Sequence, residues 1–310
     1  MTVDPSAPLI VGGASDPNLG VLIEAFRRAG VPAQPVLVGA EVPALAWEPV
    51  GGPLVIDGRS RTPRAMFLRH DVFGSLGDRD PRNAASAMAW TAALVGWAMA
   101  NPGVRTPNRR MWASANHKPA ALALADQVGL RPPATLVTND RAAAEAFLGS
   151  CDKIAKPVAG GDLARPLCEA MAMASRSAGP FAAPAIIQER LVPPEVRVYV
   201  IGEQTFAFEV KSRHLDYRAA NDAEVIALDA VPDGIAGPLL RLARTMELDF
   251  CAADFKGAPD GSLRFLEVNT SPMFARFDQA SGGQLCDALV AWLCEARPAR
   301  LASLEAARGR

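Results

Sequence analysis

At 310 residues, half of them hydrophobic, the chain has enough apolar material for two domains or one large α/β assembly, which argues against disorder. Its 32 basic and 33 acidic residues nearly cancel, so no overall field directs it to nucleic acid or an anionic membrane; a small molecule or peptide is the expected partner. The start, MTVDPSAPLIVGG, lacks the basic residues and long apolar run of a secretory signal, and a cytoplasmic location is expected.

The first third alternates strand and helix signals. PLIVGG is a short apolar strand, and Asp16-Pro17 caps the amphipathic run NLGVLIEAFRRAG, which closes at Gly30. AQPVLVG follows as a second strand, and PLVIDGRS and AMFLRHDVF read as two more. Asp80-Pro81 then opens a long helix that ends before Asn101-Pro102. Its most apolar part, AMAWTAALVGWAMA at 87–100, is shorter than the ~20 residues a membrane span needs and reads as a buried helix. Residues 1–112 form an α/β domain of their own on this reading.

From Asn116 the texture changes. KPAALALADQVGL is a helix stopped by Gly129, PPATLVTND is a strand, and Asn139 or Asp140 caps RAAAEAFLG. DKIAKPVAGGD runs a strand through Lys156-Pro157 into Gly160-Gly161, a backbone-exposing loop beside a cation and so a phosphate cradle. Beyond it AIIQERLV, EVRVYVIG turning into QTFAFEVKSR, and AEVIALDAV alternate as strands do. The helix IAGPLLRLARTMELD separates these from CAADFKGAPDGSLRFLEVN, a hairpin turned by Pro259-Asp260-Gly261. GGQLCDALVAWLCEA is a capping helix, and RPARLASLEAARGR is a weakly ordered tail.

The chemistry concentrates on that last hairpin. Residues two apart on a strand share a face, so Glu267 and Asn269 aim oxygens at one spot while Leu266 and Val268 face a core. Antiparallel pairing brings Asp254 to the same place, making a hard-oxygen set suited to Mg²⁺; the alternative is a solvent-facing acidic hairpin. Scattered His70, His117 and His214 argue against a histidine-built zinc site. Five cysteines without a CxxC pair read as reduced, mostly buried thiols. Lys118, Lys156, Arg197, Lys211 and Arg218 sit at helix starts, strand ends and strand edges, the cations a polyphosphate requires beside a metal.

Taken in order, Lys118 at a helix start, KPVAGG, IIQERL, EVRVYVIG, AADF and FLEVNTSP resemble the ATP-grasp superfamily over about residues 113–295. Within it the chain is similar to RimK-like carboxylate-amine ligases and to the microviridin-type ligases that crosslink ribosomal peptides. The resemblance implies an α/β (α+β) fold in which two lobes sandwich ATP behind an N-terminal pre-ATP-grasp domain. It divides the chain into 1–112, a lid subdomain at 113–186, a metal-bearing subdomain at 187–296 and a tail at 297–310. Lys118 and Lys156 would hold the α and β phosphates under the Gly160-Gly161 loop. Gln188, Glu189, Arg190 and Leu191 would form the adenine hinge, with Glu189 as the acceptor, and Glu195 would meet the ribose. Arg197 would meet the γ and acyl phosphates, with Lys211 and Arg218 as further catalytic contacts. Asp254, Glu267 and Asn269 would bind two Mg²⁺ ions, Mn²⁺ being the substitute. LDYR at 215–218 resembles the DWR of the peptide-crosslinking branch, with Tyr217 for Trp, whereas the Ser-Pro-Met after Asn269 is closer to RimK.

The implied activity activates a carboxylate as an acyl phosphate and joins it to an amine or hydroxyl on a peptide or amino acid, with release of ADP and phosphate. Related ligases are commonly homo-oligomers. The competing readings are phosphoryl transfer to an alcohol at the same ATP site, and a nucleotide- and peptide-binding module without turnover. Arg276 and Asp278 read as substrate contacts or a surface salt bridge, Met273, Phe274 and Phe277 as packing, and His70 or Asp71 as contributions to an acceptor site.

Overall fold

The computed structural model describes residues 4–39, 41–69, 81–109, 117–147, 149, 152–158, 163–173, 181–213 and 223–295. Gly160, Gly161 and Arg218, together with His70, Asp71, Tyr217 and the 297–310 tail, lie outside the described residues. Two compact units divide the chain: one takes residues from 1–112, 247–250 and 273 onward, the other 113–246 and 251–272.

In the first unit β1 (Leu9–Gly13) lies between β2 (Gln34–Val38) and β6 (Met66–Leu68), parallel to both. Helix α1 (Pro17–Arg28) makes the crossover from β1 to β2, and its start follows the sequence signal: Asp16 accepts from the Asn18 amide and Pro17 opens the first turn. PLVIDGRS departs from the single strand expected. β4 (Leu54–Ile56) and β5 (Arg59–Arg61) are two strands of a hairpin whose turn residues Asp57 and Gly58 both have positive φ, and β3 (Leu45–Trp47) pairs on the other side of β4. Asp-Gly is the pair that such a tight turn selects. Helix α2 (Pro81–Ala100) contributes buried Leu94, Trp97 and Ala98 to a core with Leu9, Val11, Val36, Leu54, Ile56 and Met66. No helix among the described residues is long and apolar enough to cross a membrane.

Chain from the far end completes this unit. Helices α7 (Ala275–Ala280) and α8 (Gln284–Cys294) pack against α1. Asn18, fully buried, accepts from the Phe274 and Ala275 amides at 2.6 and 2.8 Å, and the buried pair Arg69–Asp16 stands at 2.9 Å beside it. Phe274 and Phe277 are buried as expected, but Met273 is 43% exposed. Asp278 is not a surface ion: it is buried, and its carboxylate accepts from the Cys286 amide at 2.8 Å, satisfying the first turn of α8.

The second unit holds two antiparallel sheets. β7 (Thr135–Thr138), β10 (Ala185–Glu189), β8 (Lys153–Pro157) and β9 (Arg165–Pro166) form the first, in that spatial order. One of its faces carries Leu136, Ala155, Ala185 and Ile187 into a small core with α4 (Arg141–Ala146) and α5 (Leu167–Met173). Asp140 caps α4 through the Ala142 amide at 2.8 Å. The second sheet runs β13 (Glu224–Ala227), β12 (Gln204–Lys211), β11 (Val192–Ile201), β14 (Phe250–Gly257), β15 (Leu263–Asn269). Helix α3 (Lys118–Gln127) lies against β15 and against α6 (Ala236–Thr245). A Cβ at Gly257 would sit 2.8 Å from the Pro193 carbonyl and 2.9 Å from that of Val192, so glycine is what lets β14 approach the start of β11.

Candidate active site

The site grows out of the five-stranded sheet. β11 is buried on both faces, Val196, Val198 and Val200 on one and Arg197, Tyr199 and Ile201 on the other, so Arg197 is a buried cation that requires an anion. β14 supplies it. Arg197 Nε and Nη2 reach Asp254 Oδ1 and Oδ2 at 2.7 and 2.8 Å, a two-pronged ion pair with both side chains under a tenth exposed.

Asp254 lies directly opposite Glu267 in the hairpin, and a register shift between Asp254 and Phe255 follows that pair. Asn269, two residues further along β15, donates from Nδ2 to Asp254 Oδ2 at 3.1 Å, which turns its own oxygen away from that carboxylate. Lys118, in the first turn of α3, meets Glu267 at 3.0 Å, each side chain 15% exposed. Four of the predicted residues, Arg197, Asp254, Glu267 and Asn269, therefore share one face, with Lys118 beside them. The solvent-facing acidic hairpin is not what the sheet builds, because Asp254 is buried and Glu267 nearly so.

The donor chemistry fits a small hard cation. Two carboxylates and an amide oxygen on adjoining strands are the ligands Mg²⁺ accepts, whereas zinc prefers nitrogen and sulfur. Among the described residues no group of three or more His, Cys, Asp or Glu could hold a metal, and the side-chain amide of Asn269 stands beside the two carboxylates.

The other predicted residues are placed as follows. Lys156 is half-buried on β8, opposite Ile186 of β10. Gln188 is fully buried on the same face of that sheet, since it pairs with Ile154, two residues from Lys156. Glu189 pairs with Lys153 on the opposite face, and its carboxylate accepts from the Ala134 amide at 3.2 Å. The Arg190 amide is engaged by the Asp152 carbonyl at 2.9 Å, its side chain is exposed, and Leu191 is buried. Lys211 is exposed at the end of β12.

Glu195 is paired with a residue the sequence reading did not single out. Lys256 Nζ stands 2.8 Å from Glu195 Oε2, both side chains mostly buried. The signal was available: Lys256 is two residues from Asp254 on the same strand and so belongs to its face. Burial pushes the Glu195 carboxyl above its ordinary 4.5, with Lys256 opposing the rise. The folded protein thus holds this proton more tightly than the unfolded chain. The associated stability is present below that ordinary value of 4.5 and is lost as pH climbs through the raised one. Glu195→Gln is expected to flatten that decline, read as urea midpoints at stepped pH against the parent protein; an identical pH slope would contradict the assignment.

One unit thus carries two sheets, with a lysine on the first and an acid-acid-amide face with its arginine on the second. No family model and no curated protein matches the chain, but solved structures do. The ATP-grasp ligase PsnB, solved with a minimal precursor, Mg and ADP, is 28% identical with a TM-score of 0.75, over 94% of this chain and 99% of that one. The macrocyclase MdnC from Microcystis aeruginosa MRC, bound with its precursor peptide MdnA, is similar in fold: 20% identity, TM-score 0.72, 94% and 99% covered. The VanG D-Ala:D-Ser ligase from Enterococcus faecalis follows at 16% identity and a TM-score of 0.60, with 93% and 99% covered. The chain has the ATP-grasp fold, and the resemblance to peptide-modifying ATP-grasp ligases is borne out.

Proposed function

We propose that the protein uses ATP to activate a carboxylate as an acyl phosphate and then joins the acyl group to an amine or hydroxyl of a peptide. The observation that carries this is the buried Arg197–Asp254–Asn269 cluster opposite Glu267 and Lys118. The peptide is favoured over a free amino acid because PsnB and MdnC were both solved with precursor peptides. The same likeness favours the peptide-modifying branch over the RimK-like one. Dependence on ATP suits the cytoplasm.

In this reading the substrate carboxylate attacks the γ phosphorus, the bond to the β–γ bridging oxygen breaks, and ADP leaves. The amine or hydroxyl then attacks the acyl carbon, phosphate departs with the C–O electrons, and the nucleophile gives up its proton. Asp254, Glu267 and Asn269 would hold Mg²⁺, which when bound would supply charge neutralisation at the phosphoryl oxygens. Lys118 and Lys156 bind phosphate oxygens, with Glu267 keeping Lys118 directed at the site. Arg197, held in one orientation by Asp254, brings its positive charge to the transferring phosphoryl group and to the oxyanion of the acyl step. Gln188 to Leu191 line the base, and Glu195 the ribose.

Hydroxylamine tests the acyl step. Incubation of the enzyme with ATP, Mg²⁺ and acidic peptides is expected to yield hydroxamate in step with ADP. ADP and phosphopeptide without hydroxamate from every active substrate would make the protein a kinase instead.

A further inference from the structure

The carboxamide of Gln188 is wholly buried, yet its two arms are treated differently. Nε2 donates to Thr135 Oγ1 at 2.8 Å, whereas Oε1 meets no hydrogen-bond partner among the described residues. A carboxamide turned end for end occupies nearly the same space, so its partner decides which way it faces. Thr135 Oγ1 stands 2.8 Å from the Pro133 carbonyl, which can only accept, so the hydroxyl hydrogen goes there, its oxygen is left to accept, and the nitrogen arm of the amide is the one that matches it. The oxygen arm is thereby committed to the other side.

Strand register says which surface this is. Thr135 pairs with Gln188 and Ile154 with Gln188, while Lys156 pairs with Ile186, so all five side chains share one face of the sheet. The opposite face, with Leu136, Ala155 and Ile187, is covered by α4 and α5. The orphan acceptor thus lies on the face that carries the phosphate-binding lysine. A buried acceptor is costly to leave unmade, and a ligand that brings a donor removes that cost.

We propose that Thr135 is a positioning residue which holds the Gln188 carboxamide with its oxygen toward the nucleobase, so that the site selects a purine bearing an exocyclic amine and rejects one bearing a carbonyl oxygen. This rests on the nucleotide reading above. Adenine presents N–H at that edge; hypoxanthine and guanine present an oxygen, which would set two acceptors against each other with no proton between them. Sites built around a hydrogen bond to one substrate group discriminate most sharply against analogues that lack it. Thr135 touches no reacting atom, and its effect is exerted through Gln188.

The test is calorimetric titration of the full chain with ADP and with inosine diphosphate, each with Mg²⁺. The parent protein is expected to prefer ADP by roughly ten- to a hundredfold. Thr135→Val keeps the shape but frees the amide to turn, and the preference should fall to within about threefold, while Thr135→Ser keeps it. Gln188→Glu carries oxygen on both arms, so in that background adding Thr135→Val should leave the ratio unchanged, an outcome that loss of fold cannot imitate. Equal binding of the two nucleotides by the parent protein, or an undiminished preference in Thr135→Val, overturns the proposal. Absence of ADP binding by the parent protein overturns the nucleotide reading itself, and this inference with it.

Discussion

Glu267→Gln is expected to lower ATP consumption by at least about a hundredfold while leaving the sheet folded. The substitution removes one charge and keeps the size of the side chain. Backbone pairing between β14 and β15 sets the register that places residue 267 opposite Asp254, and this pairing does not depend on the carboxylate. What is lost is the negative charge beside Asp254 and the ion-pair partner of Lys118. The check is coupled-assay ADP release together with far-ultraviolet circular dichroism on the same sample. A folded variant that still releases ADP at the parent rate would leave Glu267 without the role given to it.

The second large effect is on stability. Arg197 and Asp254 form a buried pair with 2.7 and 2.8 Å contacts, and the only other hydrogen bond described for the Asp254 side chain is the 3.1 Å one from Asn269. Arg197→Leu strands a buried carboxylate, at an expected cost of about 3–5 kcal/mol. Removing both charges in Arg197→Leu/Asp254→Leu should recover much of that loss, because two apolar side chains need no solvation. Activity should recover in neither variant. Urea unfolding of the two variants and the parent decides it: a single variant within about 1 kcal/mol of the parent would show that the pair is better solvated than its burial implies. Stability regained without catalysis is the signature of residues placed for chemistry, since the apolar pair would serve the fold equally well.

How far the site was legible in the sequence follows from how local each relation is. Asp254, Glu267 and Asn269 were legible together because a short Pro-Asp-Gly turn joins their strands and a two-residue period fixes which side chains share a face. The helix of Lys118 and the cap at Asp16 were legible for the same reason, as signals contained within a few residues. The Asp57-Gly58 turn is a signal of the same local kind. Asp278 was not legible: its neighbours in sequence suggest a surface, and only the packing of α7 and α8 beside α1 buries it.

The kinds of element, the order of the motifs and the chemical character of the acidic hairpin follow from the amino-acid order alone, because helical and strand periods, caps and turns are written in neighbouring residues. It took the folded chain to place β11 beside β14, bringing Arg197 onto Asp254 and Lys256 onto Glu195, and β7 beside β10, bringing Thr135 to Gln188. Those pairings join residues some 53 to 61 positions apart in the chain. Their register is set by which faces the whole unit buries at once, a sum over many distant contacts that no short window of residues contains.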